Sequence, residues 1–584
     1  MPSKKTTIES AATPTDSAPS SVPTPAPRSA SSSMVKKTLR DTFGLSTFRP
    51  GQKKVIDNVL RRRNTLAVMP TGSGKSLCYQ LPGLNMQGMT VVVSPLISLM
   101  KDQVEKLQQA GIDAAQLNST LNAREERNAL QQIDAEDSKF IFTTPERLST
   151  PGFMATIKDH MINMLVLDEA HCICQWGHDF RPAYLALGAA IQALGKPPVL
   201  ALTATATRRV VDDIQSQLGL ADMDVINTGI YRDNLHYRVV HVTNQDDKFV
   251  QIIESVASHT GSGVIYVATV KNAIELHQAL LDHGESATLY HGKLSAKQRH
   301  ENQDRFMQDD SRVMVATNAF GMGIDKADIR FVIHQQIPAN LEAYYQESGR
   351  AGRDGESADC VLFYHLEDKR LQQFFLSRHY PDAASLSLTC AALKEHDHDQ
   401  NGISASDLAE KLSETSAGKL QVNLKLLARG GLVEETDVSA FRFIHQKVDD
   451  HVFEPLAEQY AQRRETDQAG LDSMVSYAQT GYCRWSVLMN YFEEENSLQC
   501  DHCDNCVTPI DIDLQSNASG IDCSNISLKV QEQNNEIQFV IGDNVKVHKY
   551  GSGKILEIHN DQIHISFDAE GTKPFLKQYV MHCE

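Results

Sequence analysis

From residue 34 to about 380, short apolar runs alternate with amphipathic stretches. The runs are Thr65–Met69, Val91–Val93, Met164–Leu167, Val199–Leu202, Val264–Val267, Val313–Val315 and Phe331–Ile333. Runs this short, apolar on both faces and separated by helical patterns, read as strands buried in parallel sheets between helical layers. Polar residues or glycines follow almost every run. In such folds ligands bind at the carboxyl ends of the strands. The fold class is therefore α/β. The block is long enough for two such domains, expected at 34–229 and 230–380.

Elsewhere the pattern changes. Residues 1–33 are rich in Ser, Pro, Thr and Ala without apolar periodicity, so disorder is expected there. Patterned sequence begins after Met34, which makes that residue an alternative start. Within 381–460, Ile403–Leu412, a Ser/Thr/Gly turn, Leu420–Leu427 and Gly430–Val433 suggest a helix-turn-helix followed by a wing. A small helical connector is the alternative. A helical, cysteine-bearing module is expected at 461–509 and a polar linker at 510–537. Residues 538–584 alternate apolar and polar around Gly551–Gly553 and Asp568–Gly571, which predicts a small barrel of short strands.

Composition narrows the class. With 584 residues, 41% hydrophobic and 22% charged, wholesale disorder and collagen-like repeats are excluded. The uncharged stretch Ser76–Met100 contains Pro82, Pro95, Gln80, Asn85 and Gln87, and does not read as a membrane span. The net charge of −18 does not suggest a nucleic-acid binder. The acid is concentrated after residue 381, however, and 34–380 is nearly balanced, which is compatible with a basic groove. The 11 cysteines are odd in number and unevenly spaced. That argues against a secreted disulfide framework, and for a reducing compartment with one metal site.

Candidate chemistry sits at the strand ends. Thr71-Gly72-Ser73-Gly74-Lys75-Ser76 follows the first run and precedes a helical pattern. Its glycines would let backbone N–H groups close on phosphates, with Lys75 reaching the β/γ-phosphates and the Ser76 hydroxyl ligating Mg2+. Asp168-Glu169 ends a later run. Asp168 would hold Mg2+, and Glu169 would orient and deprotonate the attacking water. Together these make hydrolysis of a nucleoside triphosphate the leading chemistry. Gln346–Arg353 carries Arg350 and Arg353, three apart and expected on a helix face, as cations for the charge that develops on a transferred phosphoryl group. Cys483, Cys500, Cys503 and Cys506 form C-x16-C-x2-C-x2-C, a four-thiolate set suited to structural Zn2+. The other seven cysteines read as spectators.

These segments resemble a known family. Thr71–Ser76, Asp168–His171, Ala201–Thr207 and Gln346–Arg353 resemble motifs I, II, III and VI of superfamily 2 helicases, and more specific matches point to the RecQ DNA helicases. Phe48-Arg49-Pro50-Gly51-Gln52 resembles motif 0, which implies adenine recognition by Gln52 with Arg49 beside it. Val93–Gln103, Thr144–Arg147 and Asn318–Asp325 resemble motifs Ia, Ib and V. His171–Pro182 resembles the aromatic-rich loop that couples DNA binding to hydrolysis. In that loop Trp176, Phe180, His178 and Arg181 would meet unpaired bases and phosphate; ordinary core is the alternative for Trp176.

The resemblance implies two RecA-like domains, ATP, Mg2+ and Zn2+ as cofactors, and DNA as partner, both single strands and duplex junctions. It also implies 3′-to-5′ translocation and a role in repair and recombination. An RNA helicase is the competing enzyme reading and an inactive scaffold the non-enzyme one. The winged helix before the zinc cysteines departs from the family's usual order. The C-terminal barrel resembles the Tudor/SH3-like end of UvrD-type helicases, which implies a protein partner. A bacterial, nucleoid-associated cytoplasmic setting is expected, with no membrane.

Overall fold

In the computed structural model each of the seven apolar runs forms a strand. The structure describes residues 32–118, 120–135, 138–174, 182–321, 326–395, 402–412, 415, 417–436, 440–444, 450–458, 461–494, 499–507, 539–547, 551–559, 562–567, 571–576 and 580–582. The first sheet contains β1 (Thr65–Val68), β2 (Met89–Val93), β3 (Ala114–Leu117), β4 (Phe140–Thr143), β5 (Ile162–Leu167), β6 (Val199–Thr203) and β7 (Asp224–Asn227). Its order is β3-β4-β2-β5-β6-β1-β7, parallel throughout. All six residues of β5 are buried, as expected of a strand with helices over both faces. Burying its apolar side chains contributes about 1.5–3 kcal/mol each, and the polar Asn163 is bonded to Thr90 and Gly88 O.

The second sheet contains β8 (Leu235–His241), β9 (Ser262–Tyr266), β10 (Ala287–Tyr290), β11 (Val313–Ala316), β12 (Ile329–His334) and β13 (Ala358–Tyr364). It runs β10-β11-β9-β12-β13-β8, again all parallel. At the N-terminal side, helix Ser32–Phe43 begins two residues before the expected domain start. Its Val35 and Leu39 pack with Ile56, Leu77 and Leu81.

Between helix Asp368–His379 and helix Ala461–Gln479, which pack on each other, a separate body is inserted. It contains helix Ala383–Lys394, β14 (Ile403–Ser404), helices Ala405–Lys411 and Ala417–Arg429, β15 (Val433–Glu435) and β16 (Ala440–Phe443). The antiparallel sheet β14-β16-β15 gives it the element order of a winged helix. Its core, from Leu386 to Leu456, is its own.

The last strands are β17 (Asn544–Val547), β18 (Gly551–His559), β19 (Gln562–Phe567), β20 (Gly571–Leu576) and β21 (Met581–His582). They form an antiparallel sheet, β20-β19-β18-β17-β21, around Val545, Ile555, Ile563, Ile565 and Phe575. The expected linker and most of the N-terminal segment lie outside the described residues, as does all of Gln175–Arg181. No helix among the described residues is long and apolar enough to cross a membrane.

Candidate active site and metal centre

The phosphate loop leaves β1 and ends at helix Leu77–Asn85, whose N-cap position is Ser76. Unpaired N–H groups and the helix dipole make such a terminus suited to anions. Gly72 and Gly74 hold φ of 82° and 77°, left-handed conformations that glycine adopts without strain. Gly74 has a second constraint, since a Cβ there would lie 2.6 Å from Gln52 Nε2. Gln52 is buried, and its Nε2 donates to Ser73 O at 2.9 Å and Gly74 O at 3.1 Å. Its Oε1 accepts from Arg49 N–H at 2.8 Å, and Arg49 Nη1 donates to Gly72 O. In the protein alone, the expected adenine-reading pair therefore also braces the phosphate loop.

Lys75 Nζ donates to Met69 O at 3.2 Å. Burial lowers its pKa, while the nearby Glu169 and Asp168 carboxylates work in the opposite direction. Asp168 follows β5, and burial together with repulsion from Glu169 pushes its carboxyl up to about 7. A half-buried pair of adjacent carboxylates suits a divalent cation, and a carboxylate with a serine hydroxyl is the hard-oxygen set Mg2+ takes. Glu169 adopts φ 48°, ψ 51°, unusual for a residue with a side chain and frequent where function constrains the backbone. Its Oε2 lies 3.4 Å from His171 Nδ1, which is 3.1 Å from Thr203 Oγ1; that hydroxyl donates to Thr205 O at 2.9 Å. His171 thus joins the acid pair to the segment after β6. Sequence reading quoted it within a motif and assigned it no role.

The arginine segment departs from the expected helix face. Helix Leu341–Ser348, with Gln346 half-buried on it, stops at Gly349, and Arg350 and Arg353 lie in the turn beyond. Two features end the helix. Gly352 takes a left-handed φ of 56°. The carbonyls are claimed from outside: Arg232 donates to Gly349 O at 2.7 Å and Ala351 O at 2.9 Å, and Asn234 Nδ2 to Gly352 O at 2.8 Å. The arginines then diverge. Arg353 packs on the phosphate loop, its Cα 3.4 Å from where a Cβ of Gly72 would stand. Arg350 is buried in its own domain beside Gly321 and Tyr266. Arg232 and Asn234 belong to no recognised motif, and nothing in their spacing signals their role. The motif V residues 322–325, Asp325 included, and the aromatic-loop residues Trp176, His178, Phe180 and Arg181 lie outside the described residues.

Cys483, Cys500, Cys503 and Cys506 place their sulfurs within 4.8 Å of one another, drawn together from a helix N-cap and the turns that follow. Backbone N–H groups of Arg484, Cys500 and Cys503 donate to sulfurs at 3.3–3.4 Å, as they would to thiolates. This donor set fits tetrahedral Zn2+. Behind it, buried Arg484 donates to both Asp504 oxygens at 2.9 and 3.0 Å, and Asp504 accepts from Val239 N–H of β8 at 2.9 Å. Trp485 Nε1 donates to Leu235 O at 3.1 Å. The cysteine module and the second sheet share one hydrophobic core. Cys78, Cys172, Cys174, Cys360 and Cys390 are buried apart from this cluster.

Three family models match the chain: DEAD/DEAH box helicase over residues 49–214, helicase conserved C-terminal domain over 245–355, and RecQ zinc-binding over 435–507. The ATP-dependent DNA helicase RecQ of Bacillus subtilis (strain 168) is 46% identical over 341 residues, 58% of this chain and 57% of that one. The RecQ of Synechocystis sp. is 34% identical over 492 residues, 81% of this chain and 98% of that one. The chain belongs to the RecQ family. As a RecQ protein it nonetheless spans only 57% of the B. subtilis relative and 52% of the Pasteurella multocida one. Among solved structures, Mycobacterium smegmatis helicase Lhr bound to ssDNA and AMP-PNP has TM-score 0.50 at 19% identity, covering 71% of this chain and 60% of that one. That likeness concerns the fold alone. The RecQ zinc-binding match spans all four cysteines. The inserted body separates the second sheet from the four cysteines, which is why they stand so far along the sequence, and its last strand and helix, Ala440–Phe443 and Phe453–Glu458, fall inside the zinc-binding match.

Proposed function

We propose that this RecQ-family chain is an ATP-dependent DNA helicase that moves 3′ to 5′ on single-stranded DNA and opens duplex in repair and recombination. The observation that supports it is the seating of Arg353 on Gly72, through which both RecA-like domains would contribute to one nucleotide site. ATP would bind with its phosphates against Gly72–Ser76 and Lys75, and Arg353 would offset charge developing on the γ-phosphoryl group. Glu169 would orient the attacking water and take its proton. Ser76 and Asp168 would hold Mg2+, which when bound supplies neutralisation of phosphate charge. Gln346 and Arg350 would complete the catalytic set from the second domain, Thr317, Asn318 and Asp325 would relay between nucleotide and DNA, and Gln52 and Arg49 would read the adenine. Because both domains contribute, hydrolysis depends on closure, and closure is what a DNA strand lying across both domains can control.

DNA, as single strands and at duplex junctions, is the proposed substrate. Trp176 and Phe180 would stack on unpaired bases without reading sequence, with Arg181 and His178 at phosphate. The C-terminal sheet is proposed as a protein-docking module, and the setting as a bacterial cytoplasm. The test is ATP turnover with and without single-stranded DNA. Wild type is expected to be strongly stimulated. Lys75→Ala is expected to lose at least ~100-fold in turnover, the scale of removing one charge-stabilising donor, while still binding DNA. Trp176→Ala is expected to bind DNA without stimulation. Unwinding of 3′-tailed but not 5′-tailed duplexes checks the direction, and stimulation by RNA but not DNA would overturn the substrate.

A further inference from the structure

A segment of the zinc module between Cys483 and Cys500 reaches across the domain junction. Helix Arg484–Tyr491 is followed by Phe492, Glu493 and Glu494. The segment is anchored on the second domain: Phe492 is buried with its ring 5.6 Å from that of Tyr345, and Tyr491 OH donates to Glu342 Oε1 at 2.7 Å. Both partners lie on the helix that leads into Arg350 and Arg353.

Glu493 then points into the first domain. Its Oε2 accepts from the backbone N–H of Arg208 at 2.8 Å. Arg208 opens helix Arg208–Leu218, whose first turn contains no acidic residue. That turn carries Arg208 and Arg209 instead, like charges at the positive end of the helix dipole. The Thr207 hydroxyl caps Val210 N–H, Asp212 one turn on lies 3.6 Å from Arg208 Nε, and Glu493 supplies the anion that the first turn itself lacks. Glu493 holds a φ of 60° as the C′ residue of the turn that ends helix Arg484–Tyr491, with its N–H donating to Asn490 O at 3.1 Å and Glu494 N–H to Met489 O at 2.9 Å, and this turn aims its side chain away from the helix. Next to it, Glu494 turns its carboxylate onto the junction between the domains. Its Oε2 lies 3.3 Å from where a Cβ of Gly229 would stand, and Ile230 N–H is a hydrogen-bond partner.

We propose that Glu493 is a positioning residue, an interdomain latch through which the zinc module grips the first motor domain and favours the closed cleft. It holds the start of helix Arg208–Leu218. The segment just before that helix carries Thr205 and Thr203, which reach His171 and, beside it, Glu169. The latch therefore acts at the rear of the acid pair, while Tyr491 and Phe492 hold the helix leading to the arginine turn. Its kinetic consequence rests on the ATP-motor reading; the contact itself does not.

The test uses the full chain with Glu493→Gln, Glu493→Ala and Glu493→Lys, each checked for unchanged zinc content. Amide hydrogen exchange at Arg208–Val211 is expected to speed up at least tenfold in Glu493→Ala and more in Glu493→Lys, with amides of 484–491 unchanged. The KM for ATP at saturating single-stranded DNA is expected to rise three- to tenfold in Glu493→Ala with kcat altered less than twofold. Glu493→Gln, which keeps the acceptor and loses the charge, should fall between wild type and Glu493→Ala in both exchange and KM. A general loss of structure would move the 484–491 amides and kcat together. Unchanged exchange at 208–211 in both Ala and Lys variants overturns the latch, and so does faster exchange with an unchanged KM. A wild-type chain without ATP turnover would overturn the motor reading, and the exchange measurement would still decide the latch.

Discussion

Burial, and then the neighbouring Glu342, raise the Asp467 carboxyl to about 6. Tyr380 OH donates to it, and it lines a cavity of about 250 Å³ with His171, Thr205 and Glu493. Because the folded protein holds this proton more tightly than the unfolded chain, stability is lost as pH climbs from the ordinary carboxylate range through about 6. Asp467→Asn removes that loss. The melting temperature of the variant, relative to wild type, is expected to rise between pH 5 and pH 7.5, measured by thermal unfolding. A constant difference across that range would refute the assignment. Nothing around Asp467 in the sequence announces this, because its partners Tyr380 and Glu342 are far away along the chain. Lys75, Asp168 and Glu169 could be singled out at this scale, since each belongs to a short segment whose chemistry is local, and the structure brings the three groups together. Arg350 and Arg353 were legible as a pair and not as individuals. Only the turn set by Arg232 and Asn234 sends one to the phosphate loop and the other inward.

At the scale of elements, the buried parallel strands were the most readable feature. A strand covered on both faces needs consecutive apolar residues, and that pattern has few other solutions. Of the strands that escaped notice, β4 (Phe140-Ile141-Phe142-Thr143) and β13 (with Cys360-Val361-Leu362-Phe363-Tyr364) do carry such a run and were passed over, whereas others lack it. β3 contains Gln116, and the edge strand β7 begins at Asp224 and ends at Asn227. The cysteine spacing was equally direct, yet what the cluster holds was not. Arg484, fully buried and paired to Asp504, ties the zinc module to β8. Arg484→Ala leaves Asp504 without its cation in a largely buried position, and a loss of about 3–5 kcal/mol is expected. Denaturant unfolding would check it. Because module and second sheet share one core, the midpoint should shift in a single transition that reports on both. Two separated transitions would show that they are not one cooperative unit.

For the whole molecule, the decisive arrangement is an insertion. The winged-helix-like body has its own core and sits between two helices that pack on each other. Replacing residues 382–459 by a short Gly/Ser linker is therefore expected to preserve zinc content and to keep DNA-stimulated ATP turnover within about threefold of wild type, as for distant sites with few shared contacts. Loss of zinc together with turnover would show instead that the body supports the module. The sequence alone was enough for two α/β layers, a phosphate loop with its acid pair, and a four-thiolate site, because strand periodicity, glycine at a phosphate turn and paired cysteines are short-range patterns with few alternatives. Only the tertiary structure decided which arginine faces the phosphate loop, that the zinc module is built into the second domain, and that Glu493 reaches the start of a helix some 285 residues away in sequence. Each of these depends on hydrogen bonds and packing between segments distant in the chain, and local pattern carries no record of which distant surfaces will meet.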